Sequence, residues 1–168
     1  IHECVEAAKE CRGLNGPVPI IADGGVVTSG DIVKAFVAGA DAVMLGNAFA
    51  GVDEAPGDLE LVDGAMWKTY RGMGSAGAMK GRAADRYGTA QEANSGGGKH
   101  VAEGVEARVR YAGPLSELVS QLVGGLRSGM GYAGAATLDD LRETTRLVRI
   151  TSAGLRESHP HDVDILRD

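Results

Sequence analysis

An apolar run that stops in a carboxylate and two glycines, Val18-Pro-Ile-Ile-Ala-Asp-Gly-Gly25, constrains this chain more than any other stretch. A continuous apolar run bounded by turn residues predicts a strand covered on both faces, as in a parallel sheet. Asp23 stands where that strand gives out, and Gly24 and Gly25 remove side chains so that a ligand can meet backbone N–H groups. Residues 29–38 then read as a helix, with Ser29 as its N-cap and Gly39 as its stop. A second apolar run, Ala42-Val-Met-Leu45, ends in Gly46-Asn47. Strand, tight loop, helix, strand predicts a parallel βαβ unit whose functional ends lie on one side.

The flanking segments fall into place around this unit. Residues 1–12 are predicted helical from Val5, Ala8 and Cys11, and Asn15-Gly-Pro breaks that helix. Residues 59–64 and 66–70 predict a hairpin turning at Asp63-Gly64. Tyr70 to Met79 is glycine-rich and reads as a shaped loop. Residues 80–104 form a polar excursion, either disordered or a mobile cover, with the weakest ordering signal from Gly88 to His100. Val105–Tyr111 alternates like a strand, and Pro114–Val123 carries the clearest apolar stripe, weakened beyond by Gly124 and Gly125. A short helix near Leu138, a short strand over Val148–Thr151 and a polar tail complete the reading.

Composition narrows the function classes. The 26 glycines in 168 residues are about double the usual ~7% share and cluster in loops between apolar runs. Such placement favours contact between backbone and ligand over general flexibility. A net charge of −6 without a basic run argues against nucleic acid or an anionic membrane as partner. No run approaches the ~20 apolar residues of a membrane span, so the expected setting is cytoplasmic. Cys4 and Cys11 lie seven apart on the first helix and read as core packing. The pattern begins in mid-helix at Ile1, and two parallel strands close no barrel; the chain reads as the C-terminal portion of a larger domain.

Loops ending in Asp-Gly-Gly and Gly-Asn suit a sugar phosphate: free N–H groups meet the phosphate and a carboxylate accepts the ribose hydroxyls. The alternative is that the glycines only make tight turns. In (β/α)8 barrels a phosphate commonly sits at the loops after the last two strands.

Ile21-Ala-Asp-Gly-Gly25, Gly39-Ala-Asp-Ala-Val-Met-Leu-Gly46, Glu54-Ala-Pro-Gly57, Tyr70-Arg-Gly-Met-Gly-Ser75, Asp85-Arg-Tyr87, Gly124-Gly-Leu-Arg127 and Glu157-Ser-His-Pro-His-Asp162 together resemble the C-terminal part of IMP dehydrogenase. The resemblance runs from end to end. It implies an α/β fold that is the C-terminal portion of a TIM (β/α)8 barrel, residues 1–168, with residues 80–104 as a mobile flap. It implies NAD-dependent oxidation of IMP to XMP in guanine nucleotide synthesis. A cysteine attacks C2 of IMP, a hydride leaves to NAD+, and water then hydrolyses the covalent intermediate.

Laid on these positions, the resemblance gives Asp23 the ribose hydroxyls and places Gly24, Gly25, Gly46 and Asn47 around the phosphate with Tyr70. The loop Arg71, Gly72, Met73 and Gly74 would meet the purine, with Glu103 near the base. Asn47 stands where the family usually has Ser. Arg86 would activate the water, with Tyr87 beside it; by itself Asp85-Arg86 reads as a solvated ion pair, since arginine is a poor base in solution. Glu157, Ser158 and His159 would supply oxygen ligands to a K+ on a neighbouring subunit, which implies a homotetramer; taken alone, the two tail histidines read as a solvated turn. The family's nucleophile lies upstream of the first helix, so neither Cys4 nor Cys11 is that group and the 168 residues alone are expected to be inactive. GMP reductase, a non-catalytic nucleotide-binding half-barrel and a flavin-binding barrel are the competing readings.

Overall fold

The computed structural model describes residues 1–13, 16–72, 75, 104–160 and 163. Helix α1 (His2–Glu10) leads to a two-residue antiparallel pair, β1 (Arg12–Gly13) with β2 (Gly16–Pro17). The βαβ unit follows as β3 (Ile21–Asp23), α2 (Ser29–Val37) and β4 (Ala42–Met44). β3 and β4 pair in parallel, Ile21 opposite Ala42 and Asp23 opposite Met44. A short helix α3 (Asn47–Ala50) leads to a meander of β5 (Leu59–Val62), β6 (Ala65–Arg71) and β7 (Glu106–Arg110), antiparallel throughout. Helices α4 (Leu115–Ala133), α5 (Leu138–Thr144) and α6 (Ser152–Glu157) complete the described chain.

The core forms where α2 is clasped between the parallel pair and the later helices. Ala35 and Ala40 pack with Ala22 on the strand side. On the other side Ile32 and Phe36 meet Leu141 and Ala135, bordered by Leu122, Leu126 and Met130 of α4. Arg142 of α5 donates to the Ala40 carbonyl at 2.6 Å and to the Asp41 carboxylate at 3.2 Å. The same carboxylate accepts the Ile20 N–H at 2.8 Å, which secures the entrances to both parallel strands.

Several expectations need correction. Among the described residues β3 is covered on one face: Ala22 is buried, whereas Ile21 is 55% exposed and Met44 on β4 is 51% exposed. Among the described residues the parallel pair thus has one helix layer. The N-cap of α2 is Thr28, not Ser29; Thr28 Oγ1 accepts the Asp31 N–H while Asp31 Oδ2 accepts the Thr28 N–H, a reciprocal capping box. Cys4 and Cys11 are both exposed, so neither packs a core. No strand forms over 148–151; instead Thr151 caps α6, its hydroxyl accepting the Gly154 N–H at 3.1 Å.

The largest difference concerns α4, which runs ten residues past Val123, straight through Gly124, Gly125, Gly129 and Gly131. These glycines do two different jobs. A Cβ on Gly125 would collide with the Ser29 side chain, and one on Gly129 would come within 2.6 Å of Val33 Cγ2. They mark the seam where α2 and α4 touch backbone to side chain. Gly124 and Gly131 face open space.

Alanine should therefore act in opposite directions along one helix. Gly129→Ala should destabilise by about 1–3 kcal/mol through overpacking, whereas Gly124→Ala should stabilise by about 0.5–1 kcal/mol through backbone entropy. Urea unfolding of the two variants checks this; equal effects would remove the seam. The caps carry a pH signature. Lys34, then the Thr28 N–H, hold the Asp31 carboxyl well below the usual carboxylate range, and the Thr137 hydroxyl, then the Thr137 N–H, lower that of Asp140 in the matching box of α5. Both contribute stability that is full above the unfolded value near about 4 and is lost as pH falls through the depressed folded values. Asp31→Asn should make the acid limb of stability against pH shallower, measured as the urea midpoint across an acid titration.

Candidate functional site

Parallel pairing in register sends the chain out of β3 and β4 at the same edge. Asp23, Gly24 and Gly25 emerge from one strand there, and Gly46 and Asn47 follow the other. All five are exposed. Gly24 and Gly25 take φ values of +85° and +73°, and nothing lies within 4 Å of where a Cβ would stand at either. Backbone conformation, not crowding, demands glycine here. Both glycines line a hollow of about 380 Å³ with Asp31 and Lys34 of α2, His2 of α1 and Ile1 before it. In the first turn of α2 the capping box engages the Asp31 N–H, and the Asp31 carboxylate accepts the Thr28 N–H at 2.9 Å and the Val27 N–H at 3.2 Å.

Asn47 opens α3 directly after Gly46. Behind α3 several hydrogen bonds stitch the chain to its surroundings. Lys68, in the middle of β6, donates to the carbonyls of Val52 at 2.5 Å and Asp53 at 3.0 Å. The Tyr111 hydroxyl donates to Asp53 Oδ1 at 2.7 Å, which raises the Tyr111 pKa. Glu54 Oε2 accepts the Leu115 N–H at 2.9 Å and so caps α4, whose own N-cap Pro114 offers no side-chain bond. The Ala112 N–H donates to Gly51 at 2.9 Å.

Tyr70 and Arg71 sit at the end of β6, paired with Ala107 and Glu106 of β7. They line a separate hollow of about 480 Å³ with Glu60, Thr69 and Arg108. Gly72 donates its N–H to the Val105 carbonyl at 2.8 Å, clasping the chain where β6 ends against the start of β7. Glu157 ends α6, Ser158 is its C-cap and His159 follows; His159 Nδ1 lies 3.0 Å from the Leu155 carbonyl. All three are exposed. Met73, Gly74, Arg86, Tyr87 and Glu103 lie outside the described residues, as does the expected flap over 80–104 apart from Gly104.

The structure thus brings Asp23, Gly24, Gly25, Gly46 and Asn47 to one edge, and sets Tyr70 and Arg71 on the meander and Glu157, Ser158 and His159 on the last helix. Lys68, Glu54 and Tyr111 escaped the sequence reading. The signal for Lys68 was present: it is the charged member of the face Met66, Lys68, Tyr70 in an alternating strand. Glu54 and Tyr111 act across more than 50 residues of chain, which spacing does not reveal. Among the described residues no three His, Cys, Asp or Glu side chains cluster as for a metal, and no helix is long and apolar enough to cross a membrane.

Residues 1–161 match the model of the IMP dehydrogenase / GMP reductase domain. Over its whole length the chain is 54% identical to inosine-5'-monophosphate dehydrogenase of Halalkalibacterium halodurans, covering 33% of that protein. It is 51% identical to the Thermoplasma acidophilum protein of the same name, with 100% of this chain and 32% of the relative covered. For the Aquifex aeolicus protein of that name the identity is 56% over 98% of this chain and 32% of the relative. The chain thus spans about a third of the length of the curated relatives it matches. A crystal structure of GMP reductase from Trypanosoma brucei in complex with guanosine 5'-monophosphate is similar at a TM-score of 0.79 and 49% identity, over 97% of this chain and 31% of that one. The architecture is accordingly a portion of a (β/α)8 barrel, with β3 and β4 as two of its strands.

Proposed function

Because this chain belongs to the IMP dehydrogenase / GMP reductase family, we propose that the protein of which it forms a part oxidises IMP to XMP with NAD+. The observation that carries this reading is the in-register parallel pair, which delivers a carboxylate and an open glycine loop beside Gly46-Asn47. Asp23 accepts the ribose hydroxyls. The N–H groups of Gly24, Gly25 and Gly46 and the amide of Asn47 hold the phosphate, with the Tyr70 hydroxyl as a further donor. Asn47 donates as a serine would, from a longer side chain. The roles proposed for Arg71, Gly72, Met73 and Gly74 are contacts to the purine, and for Glu103 a contact to the base.

A cysteine other than Cys4 and Cys11 attacks C2 of IMP, and NAD+, when bound, would accept the hydride that leaves. Arg86, with Tyr87, removes the proton from the water that hydrolyses the intermediate. A carboxylate, a hydroxyl and backbone carbonyls at the end of α6 are the hard oxygen donors that a K+ requires; Glu157, Ser158 and His159 would hold it against a neighbouring subunit of a homotetramer. The protein works in the cytoplasm, where IMP and NAD+ are at hand. Catalysis needs the rest of the barrel, so these 168 residues alone should not turn over IMP.

Reduction of GMP is the second reading, favoured by the likeness to the trypanosomal GMP reductase. Asp85-Arg-Tyr87 argues for the dehydrogenase, because a hydrolytic second step needs an activated water and a deaminating reductase does not. The full-length protein should reduce NAD+ with IMP and should not oxidise NADPH with GMP; the converse pair of results overturns the assignment. In that protein Asp23→Ala should weaken IMP binding by roughly 2–4 kcal/mol, as a charge-assisted hydrogen-bond pair is lost, measured by titration calorimetry. Arg86→Ala should leave a burst of NADH followed by stalled turnover in stopped flow. Equal slowing of both phases would remove Arg86 from hydrolysis.

A further inference from the structure

Lys68 is 3% exposed, the most deeply buried charged side chain among the described residues. Burying an ammonium is costly unless its hydrogen bonds are supplied, and a methionine of similar length would avoid that cost. The partners of this ammonium are two backbone carbonyls, Val52 and Asp53, in the turn immediately behind α3. Other bonds secure this turn to β7 and α4: Asp53 N–H to Gly113 at 3.0 Å, Tyr111 to Asp53 and Leu115 N–H to Glu54. Among the described residues, the hydrogen bonds that join residues 51–54 to β6 come from Lys68.

Its place on that strand matters. Side chains two apart on a strand share a face, so Lys68 and Tyr70 project from the same side of β6. The turn that Lys68 grips follows α3, and α3 begins with Asn47. One ammonium therefore joins the element bearing Asn47 to the strand face bearing Tyr70.

We propose that Lys68 is a positioning residue for the phosphate of the substrate: it sets the distance between the Gly46-Asn47 loop and Tyr70, and touches no substrate itself. This rests on the reading of Asn47 and Tyr70 as phosphate contacts given above. The role is separable from general stability because it acts on one part of the ligand. Loss of the ammonium weakens the grip on phosphate and leaves the grip on the nucleoside alone.

The test is equilibrium binding of IMP and of inosine to the folded full-length enzyme, compared as the ratio of the two dissociation constants. Lys68→Met should lower the advantage of IMP over inosine about tenfold, or roughly 1.4 kcal/mol, with inosine affinity unchanged. Lys68→Arg, which can still donate to both carbonyls, should restore most of it. Combined with Tyr70→Phe, Lys68→Met should cost less than the sum of the two single effects, since both act on one contact. Should Lys68→Met fail to fold, Lys68→Gln, whose shorter amide reaches one carbonyl, should show a smaller drop in the same ratio. An unchanged ratio in the folded variants, or a parallel fall for IMP and inosine, overturns the positioning role. If Tyr70→Phe lowers the ratio and Lys68→Met does not, Lys68 alone is misassigned. If neither lowers it, the phosphate reading of Tyr70 falls first and the inference with it.

Discussion

The rest of the structure depends on the parallel register between β3 and β4. Three residue pairs, Ile21 with Ala42 through Asp23 with Met44, decide that both strands end at one edge. A slip of one residue would turn Ala22 out of the core and move Asp23 away from the level of the Gly46 turn. Helix α2 prevents the slip from one side, pressing Ala35 against Ala22, while Asp41 and Arg142 tie the strand entrances together at the other end. A site built this way sits on rigid elements, and its ligand-binding groups are mostly backbone.

The contact between α2 and α4 shows a second constraint. Gly125 and Gly129 let α4 lie close enough to bury Ile32 and Phe36 with Leu141. This explains why glycine, which weakens an isolated helix, occurs four times in one of 19 residues. Two of the four answer to packing. The same residue type has different causes within one turn, so composition alone could not separate them.

Much of the fold was legible because it rests on local signals. Apolar periodicity gave α1, α2 and β4; Asp63-Gly64 gave the hairpin, and both residues adopt positive φ, 51° and 77°, as such a turn requires. What escaped depends on partners distant in sequence. The length of α4 follows from its contact with Ser29 and Val33, and the cap of α4 comes from Glu54, 61 residues away. Cys4 and Cys11 follow a core-like spacing yet are exposed, because spacing names a shared face and not what covers it. At the candidate site, the edge of five residues was legible from two strand ends. The grip of Lys68 was not, since the strand pattern marks Lys68 as the charged member of its face without placing in space the turn it grips.

The account makes the glycine loop and the Gly46-Asn47 turn one phosphate site, shaped by β3 and β4. A crystal structure of the full-length protein with IMP tests this most directly. The account predicts the phosphate between the two strand ends, within hydrogen-bond distance of N–H groups from both the Gly24–Gly25 loop and the Gly46–Asn47 turn. A phosphate held at only one of these, or seated elsewhere on the protein, would contradict it.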